Sequence, residues 1–215
     1  AMLSIAQLLA EADPVYDDMV VTFLERFMSI TRAIGSSGMY DPQRGFFYDC
    51  GETADGRQRV EVATIGGAVP LFSAVALRGN DDGDRRHELR RRLLRLLERE
   101  RSGVDELAAL GRLRVDGSAA ELLVSVVTPD QLVTTLTELF DEEAFLSPHG
   151  LRAVSKRYDG RPYAITVDGV TYTVDYEPAE STTPMYGGNS NWRGPVWVPM
   201  NYLVIRSLAR FHHWV

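Results

Sequence analysis

The residues best equipped for chemistry in this 215-residue chain crowd into one stretch, Tyr176 to Trp197. It reads Tyr-Glu-Pro-Ala-Glu-Ser and then, after Tyr186, Gly-Gly-Asn-Ser-Asn-Trp-Arg-Gly-Pro-Val-Trp. Gly187 and Gly188 allow a tight loop, Asn189 and Asn191 carry amide dipoles, and Arg193 carries a fixed charge. Trp192 and Trp197 add two broad flat faces. That inventory suits a sugar, whose hydroxyls take bidentate polar partners and whose ring faces lie against indoles. Pro195 at the start of the following helix would hold such a loop rigid. The same residues also fit a structural loop whose tryptophans fill a core and whose arginine caps a carbonyl.

Other chemistries find less support. The run Gly188-Asn-Ser190-Asn-Trp lacks the second glycine of a serine nucleophile elbow, and no Gly-Lys-Ser/Thr phosphate loop occurs. His87, His149, His212 and His213 are the histidines, and adjacent His212 and His213 point to different helix faces, so no three-ligand zinc set forms. Cys50 is the one cysteine, which excludes an internal disulfide and a Cys-rich metal site. No metal or cofactor is expected. Glu177 and Glu180, at i, i+3 in a Pro-containing loop, are read as holding that loop by hydrogen bonds rather than as an acid/base pair. The stretch Arg85 to Arg101 carries eight arginines around Leu89, Leu93, Leu96 and Leu97. A nucleic-acid face there is weighed against a solvated amphipathic helix, and the absence of aromatics favours the latter.

These side chains need a scaffold, and the apolar periodicity supplies one. Met2, Leu3, Ile5, Ala6, Leu8 and Leu9 form a helical face. Asp13-Pro14 gives an N-cap with proline at the first helical position, and Asp17 and Asp18 suit the positive helix end. Met19, Phe23, Phe27, Ile30 and Ile34 then recur on one stripe expected to face the core. Asp55-Gly56 and Asp168-Gly169 read as hairpin turns, and short strands are expected over 112–126. Thr64 to Leu77, apolar on nearly all sides, reads as a buried helix. Thr128-Pro129 opens another helix to about Phe140, and a last one covers 196–214. With about six helical segments and no alternation of strand and helix that would build a parallel sheet, the scaffold is expected to be mainly α.

Composition bounds the function. With 45% hydrophobic and 25% charged residues the chain is globular, and a net charge of −7 argues against a polyanion as its main partner. Lys156 is the only lysine. No apolar run approaches the roughly 18 residues that span a bilayer, no basic leader precedes an apolar segment, and no Asn-x-Ser/Thr acceptor occurs, so a cytoplasmic location is expected.

Several motifs resemble one family. Asn189-Ser-Asn-Trp-Arg-Gly-Pro-Val-Trp-Val-Pro-Met-Asn-Tyr-Leu is similar to the signature loop and helix of the catalytic domain of glycoside hydrolase family 63, which includes processing α-glucosidases and relatives resembling mannosylglycerate hydrolase. Tyr40-Asp-Pro-Gln-Arg-Gly-Phe-Phe-Tyr-Asp, Ile65-Gly-Gly-Ala-Val-Pro-Leu-Phe, Ser147-Pro-His-Gly-Leu-Arg-Ala-Val-Ser and Tyr176-Glu-Pro-Ala-Glu-Ser resemble further family segments, in the family's order.

The resemblance implies a mainly α fold, part of an (α/α)6 toroid with small inserted β-hairpins. Residues 1–215 would then be a partial catalytic domain truncated at both ends. It also implies hydrolysis of short α-linked glucosides or mannosides with inversion, which needs two carboxyl groups roughly 6.5–9.5 Å apart. In the family pattern the acid precedes the helix that begins here at Ala1 and the base follows the position of Val215, so no catalytic residue is carried over. What remains is a wall of the substrate pocket: Asn191, Trp192 and Arg193 match the sugar-contacting loop, with Trp197, Tyr186 and Asn189 beside them. An oligosaccharide or small glycoside is the expected partner, without nucleic acid or membrane. Self-association through helix faces at Met2 to Leu9 and Tyr202 to Trp214 is also expected. The alternative is a non-catalytic carbohydrate-binding module or a dead homologue.

Overall fold

A computed structural model of the chain describes residues 2–53, 56–79, 91–92, 95, 110–116, 119–179 and 194–212. The chain divides into two compact units, one of residues 1–36, 73–128 and 207–215, the other of residues 37–72 and 129–206.

In the first unit, α1 (Met2–Ala12) leads through a 3-10 turn (Pro14–Tyr16) into α2 (Asp17–Ser36). Asp13 caps that turn by accepting from the Val15 N–H at 3.0 Å, and the proline follows where its missing N–H costs nothing. The cap therefore works as expected but starts a short 3-10 turn before the α-helix. A three-stranded antiparallel sheet, in the order β5 (Val75–Gly79), β7 (Ala119–Val124), β6 (Leu110–Asp116), completes the unit. Leu3, Ala6 and Ala10 of α1, Val20, Leu24 and Met28 of α2, and Val75, Leu77 and Val124 of the sheet form its core.

This core corrects the expected α2 stripe. Val20, Leu24, Met28 and Thr31 are the buried positions, while Met19 and Ile30 are exposed and Phe23 and Phe27 only flank the cluster. Two neighbouring apolar stripes share the same period, and the one chosen is the one that α1 and the sheet cover. On α1 likewise Leu3 and Ala6 face inward, whereas Met2, Ile5, Leu8 and Leu9 face outward.

The second unit is built from hairpins. β1 (Tyr40–Asp41) pairs β2 (Phe46–Phe47), β3 (Asp49–Thr53) pairs β4 (Gly56–Val60), β8 (Leu146–Ser147) pairs β9 (Gly150–Leu151), and β10 (Tyr163–Val167) pairs β11 (Val170–Val174), all antiparallel. Asp168 and Gly169 take φ of 50° and 78° between β10 and β11, the left-handed pair that a two-residue hairpin turn requires. Helix α3 (Pro129–Leu139) buries Leu132, Thr135 and Leu139. Phe46 and Phe145 stack at 5.6 Å, both fully buried. Cys50 is half-buried on β3, its thiol 3.7 Å from the Ser37 carbonyl. The last helix, α4 (Val198–His212), passes from this unit into the other at Ser207.

The buried helix expected over 64–77 is instead a 3-10 helix, Ile65–Ser73, followed by strand β5. Pro70 inside it removes an α-type hydrogen bond. Gly67 lies so close to Phe46 that a Cβ would stand 2.3 Å from the ring. The backbone is thus drawn onto the aromatic cluster rather than coiled as an amphipathic rod.

The expected mainly α toroid is overturned. Among the described residues, helices alternate with eleven strands in five antiparallel sheets, and the α-helices packed extensively on each other are the single pair α1 and α2. A ring of helix pairs needs each helix to bury one face on another helix, yet α2 packs on α1 and shares its core with β5 and β7, and α3 packs on β2. The fold is a mixture of helices and small antiparallel sheets. Among the described residues no helix is long and apolar enough to cross a membrane.

Candidate functional site

Three of the motif segments meet in the second unit. The short extended run Arg152–Ser155 lies between two others and bonds to both. On one side the Ile65 N–H donates to the Ala153 carbonyl at 2.9 Å and the Ser155 N–H to the Ala63 carbonyl at 3.0 Å. On the other the Ala153 N–H donates to the Pro195 carbonyl at 2.9 Å, and Arg152 bridges Val196 antiparallel. The Ile65, Ser147 and Gly194 segments, far apart in sequence, are therefore joined by backbone hydrogen bonds.

Side chains reinforce this junction. Asn201, in the first turn of α4, accepts from the Leu151 N–H at 2.7 Å and donates to the Leu151 carbonyl at 3.1 Å, acting as a partner strand for that residue. Its amide also donates to the Trp197 carbonyl at 2.9 Å, which fixes the residue before the helix. Arg152 is 9% exposed. Its Nη1 donates to the carbonyls of Glu142, Ala144 and Leu146, and its Nε to the Tyr176 hydroxyl at 3.2 Å. The guanidinium carbon lies 5.9 Å from the Tyr176 ring centroid. Carbonyls and a phenol face satisfy a buried cation here without a carboxylate from the described residues. Tyr176 lies against Gly194, whose φ is 137° and where a Cβ would stand 2.4 Å from the ring. Only glycine fits that position, on both conformational and steric grounds.

A second polar cluster flanks the junction. Asp41, buried in the Tyr40 motif, accepts from the Gln43 and Arg44 N–H groups at 2.9 and 3.3 Å and pairs with Arg59 at 3.0 Å. Arg59 also pairs with Glu61 at 2.9 Å. These carboxylates are engaged in a turn and an ion-pair network. The Tyr158 hydroxyl accepts from the Ala63 N–H at 2.8 Å, and the Tyr163 hydroxyl from the Glu61 N–H at 2.9 Å, so two phenols latch alternate residues of one extended segment. Burial pushes the phenols of Tyr158 and Tyr163 above their ordinary range, and Tyr48 up to about 12. Arg157 bonds to both Glu138 and Asp141. The Glu143 N–H, followed by Arg157, holds the Asp141 carboxyl below its usual range.

Of the sequence-expected site residues, Tyr186, Asn189, Asn191, Trp192 and Arg193 lie outside the described residues, as does Glu180. Trp197 is half-buried immediately before α4, with its carbonyl held by the Asn201 backbone and side chain. Pro195 sits in the junction, ahead of the helix rather than at its start. Glu177 is half-buried beside Tyr176. Sequence reasoning missed Arg152, Tyr176 and Asn201 as the residues that organise this place. For Arg152 and Asn201 the signal was a polar side chain among apolar neighbours, whereas Tyr176, between Asp175 and Glu177, carried none. Most of the Arg85 to Arg101 stretch is outside the described residues, but Arg92 is helical and pairs with Asp18 at 2.8 Å.

Comparison with known proteins gives a partial likeness. The chain is 31% identical over 227 residues to a Saccharomyces cerevisiae protein named "Uncharacterized protein YMR196W", a match covering 98% of this chain and 21% of the yeast protein. The chain thus spans about a fifth of the length of the curated relative it matches. The yeast protein's name states no activity. No family model matches the chain, and no solved structure matches it.

Proposed function

We propose that this chain supplies a wall of the substrate pocket in an inverting glycoside hydrolase acting on short α-linked glucosides or mannosides. The observation that carries this reading is the junction at Arg152–Ser155. It holds both described ends of the Tyr176 to Trp197 stretch, and a binding segment set on rigid supports loses less entropy when a ligand docks. The sugar-suited inventory of that stretch, with Asn191, Trp192 and Arg193 as contacts and Trp197, Tyr186 and Asn189 beside them, supports the rest. The acid and base implied by the family resemblance have no counterparts in this sequence, so turnover belongs to a longer polypeptide. The partner is an oligosaccharide or small glycoside rather than nucleic acid or membrane, and the compartment is the cytoplasm.

The test is calorimetry of the 215-residue chain with glucose, maltose and mannosylglycerate. Binding of at least one sugar, weakened by roughly three- to tenfold in Trp192→Ala, is expected, because stacking on an indole contributes on the order of 0.5–1.5 kcal/mol. No binding by the native chain, or unchanged affinity in Trp192→Ala, overturns the pocket-wall reading. Binding without hydrolysis by the whole gene product would assign the protein to carbohydrate-binding modules instead.

A further inference from the structure

The partners that hold the Arg152 guanidinium engage only part of it. Nη1 donates to the carbonyls of Glu142, Ala144 and Leu146, and Nε to the Tyr176 hydroxyl at 3.2 Å. Among the described residues Nη2 has no acceptor, and the Tyr176 hydroxyl, which accepts from Nε, has none for its own proton. The Thr135 hydroxyl is the one fully buried side-chain polar atom without a partner among the described residues, so Nη2 keeps an open side although Arg152 as a whole is 9% exposed.

Nε and Nη2 lie along one edge of the guanidinium with their N–H bonds parallel, the fork that takes both oxygens of a carboxylate. Here the phenol oxygen of Tyr176 fills the place at Nε. An oxygen at the Nη2 place stands beside that phenol oxygen, within reach of its unused proton. Two donors, one of them charged, thus converge on a single acceptor. A carboxylate oxygen only accepts, whereas a sugar hydroxyl has a hydrogen of its own to place. Charge points the same way, because no carboxylate of the described residues pairs with Arg152, and an unmatched buried cation gains from a bound anion. The pair is also held in place beforehand, the guanidinium by three carbonyls and the Tyr176 ring by Gly194. We propose that Arg152 Nη2 and the Tyr176 hydroxyl form a binding site for the carboxylate group of a small ligand. The proposal deepens the pocket-wall reading by making the glycoside an anionic one, and it rests on that reading for the sugar alone.

The chain, isotope-labelled at arginine, is titrated with glucuronate, with glucose, which carries a hydroxymethyl group in place of the carboxylate, and with acetate, while the side-chain N–H signals of Arg152 are followed. Glucuronate and acetate are expected to shift those signals saturably, and glucuronate to bind roughly tenfold or more tightly than glucose, the effect of hydrogen bonds to a charged group. Tyr176→Phe keeps the ring on Gly194 and should weaken glucuronate roughly tenfold without changing glucose. Arg152→Lys should abolish the preference for the anion, and if that variant does not fold, Tyr176→Phe still decides. Equal affinity for glucuronate and glucose, Arg152 signals unmoved by either anion, or native glucuronate affinity in Tyr176→Phe overturns the carboxylate site and leaves the pocket-wall reading standing if glucose binds. Equal weakening of glucuronate by Arg161→Gln, an exposed cation elsewhere in the unit, shows general attraction and overturns it too. Acetate that shifts the Arg152 signals while glucose binds nowhere supports the carboxylate site and removes the sugar reading alone.

Discussion

Tyr48 shows how one buried phenol ties stability to pH. It lies in the aromatic cluster 5.6 Å from Phe46, and burial raises its pKa from 10.0 to about 12. The folded chain thus holds that proton more tightly than the unfolded chain. The associated stability is fully present below about pH 10 and is lost as the pH rises toward 12. The full loss is roughly 3 kcal/mol. Urea midpoints followed across this range should fall for the native chain and fall less for Tyr48→Phe. Tyr158 and Tyr163 shift in the same direction, so part of the slope will remain. Parallel slopes for the two proteins would contradict the assignment.

Between elements, the tie that matters most is the one from α4 to β9. Asn201 satisfies both backbone groups of Leu151 and the Trp197 carbonyl with one amide. Asn201→Ala strips the Leu151 N–H and carbonyl of this partner while the Trp197 carbonyl keeps the Asn201 N–H, and a loss of about 2 kcal/mol is expected in chemical denaturation. A loss below about 0.5 kcal/mol would mean that solvent replaces the bonds freely. Elements of this size were partly legible in the sequence. Pro129 marked the start of α3, and Asp168-Gly169 marked the turn between β10 and β11, because each of those residues acts through its own backbone. Strand β5 was not legible, since its apolar part is only Val75 to Leu77, too short to fix its own state, which is decided by pairing with β7 more than forty residues away. The stripe of α2 failed for the same reason, because periodicity names candidate faces and packing selects among them. At the candidate site, the aromatic and amide inventory could be read directly, whereas Arg152 and Tyr176 acquire meaning only from a junction of distant segments.

Across the whole molecule, two cores coexist with apolar surface. Met2, Ile5 and Leu8 on α1 are 55%, 49% and 66% exposed, and Val198, Tyr202 and Ile205 on α4 are 74%, 55% and 64% exposed. Stripes of this kind at helical spacing are unusual on a solitary soluble chain. Concentration-dependent association is therefore expected in sedimentation velocity, despite the net charge of −7. Replacing Ile5 and Leu8 together by Glu should reduce it without lowering the thermal midpoint, because neither side chain belongs to the Leu3, Ala6 and Ala10 core. A native chain that stays monomeric at high concentration would contradict this.

The thiol of Cys50 has a practical value. It is the sequence's one cysteine, half-buried on β3 beside the Ser37 carbonyl. A maleimide dye would enter the chain at a single defined place, inside the unit that carries the Arg152 junction and without any engineered mutation. The attached dye offers an optical signal for following the sugar titrations.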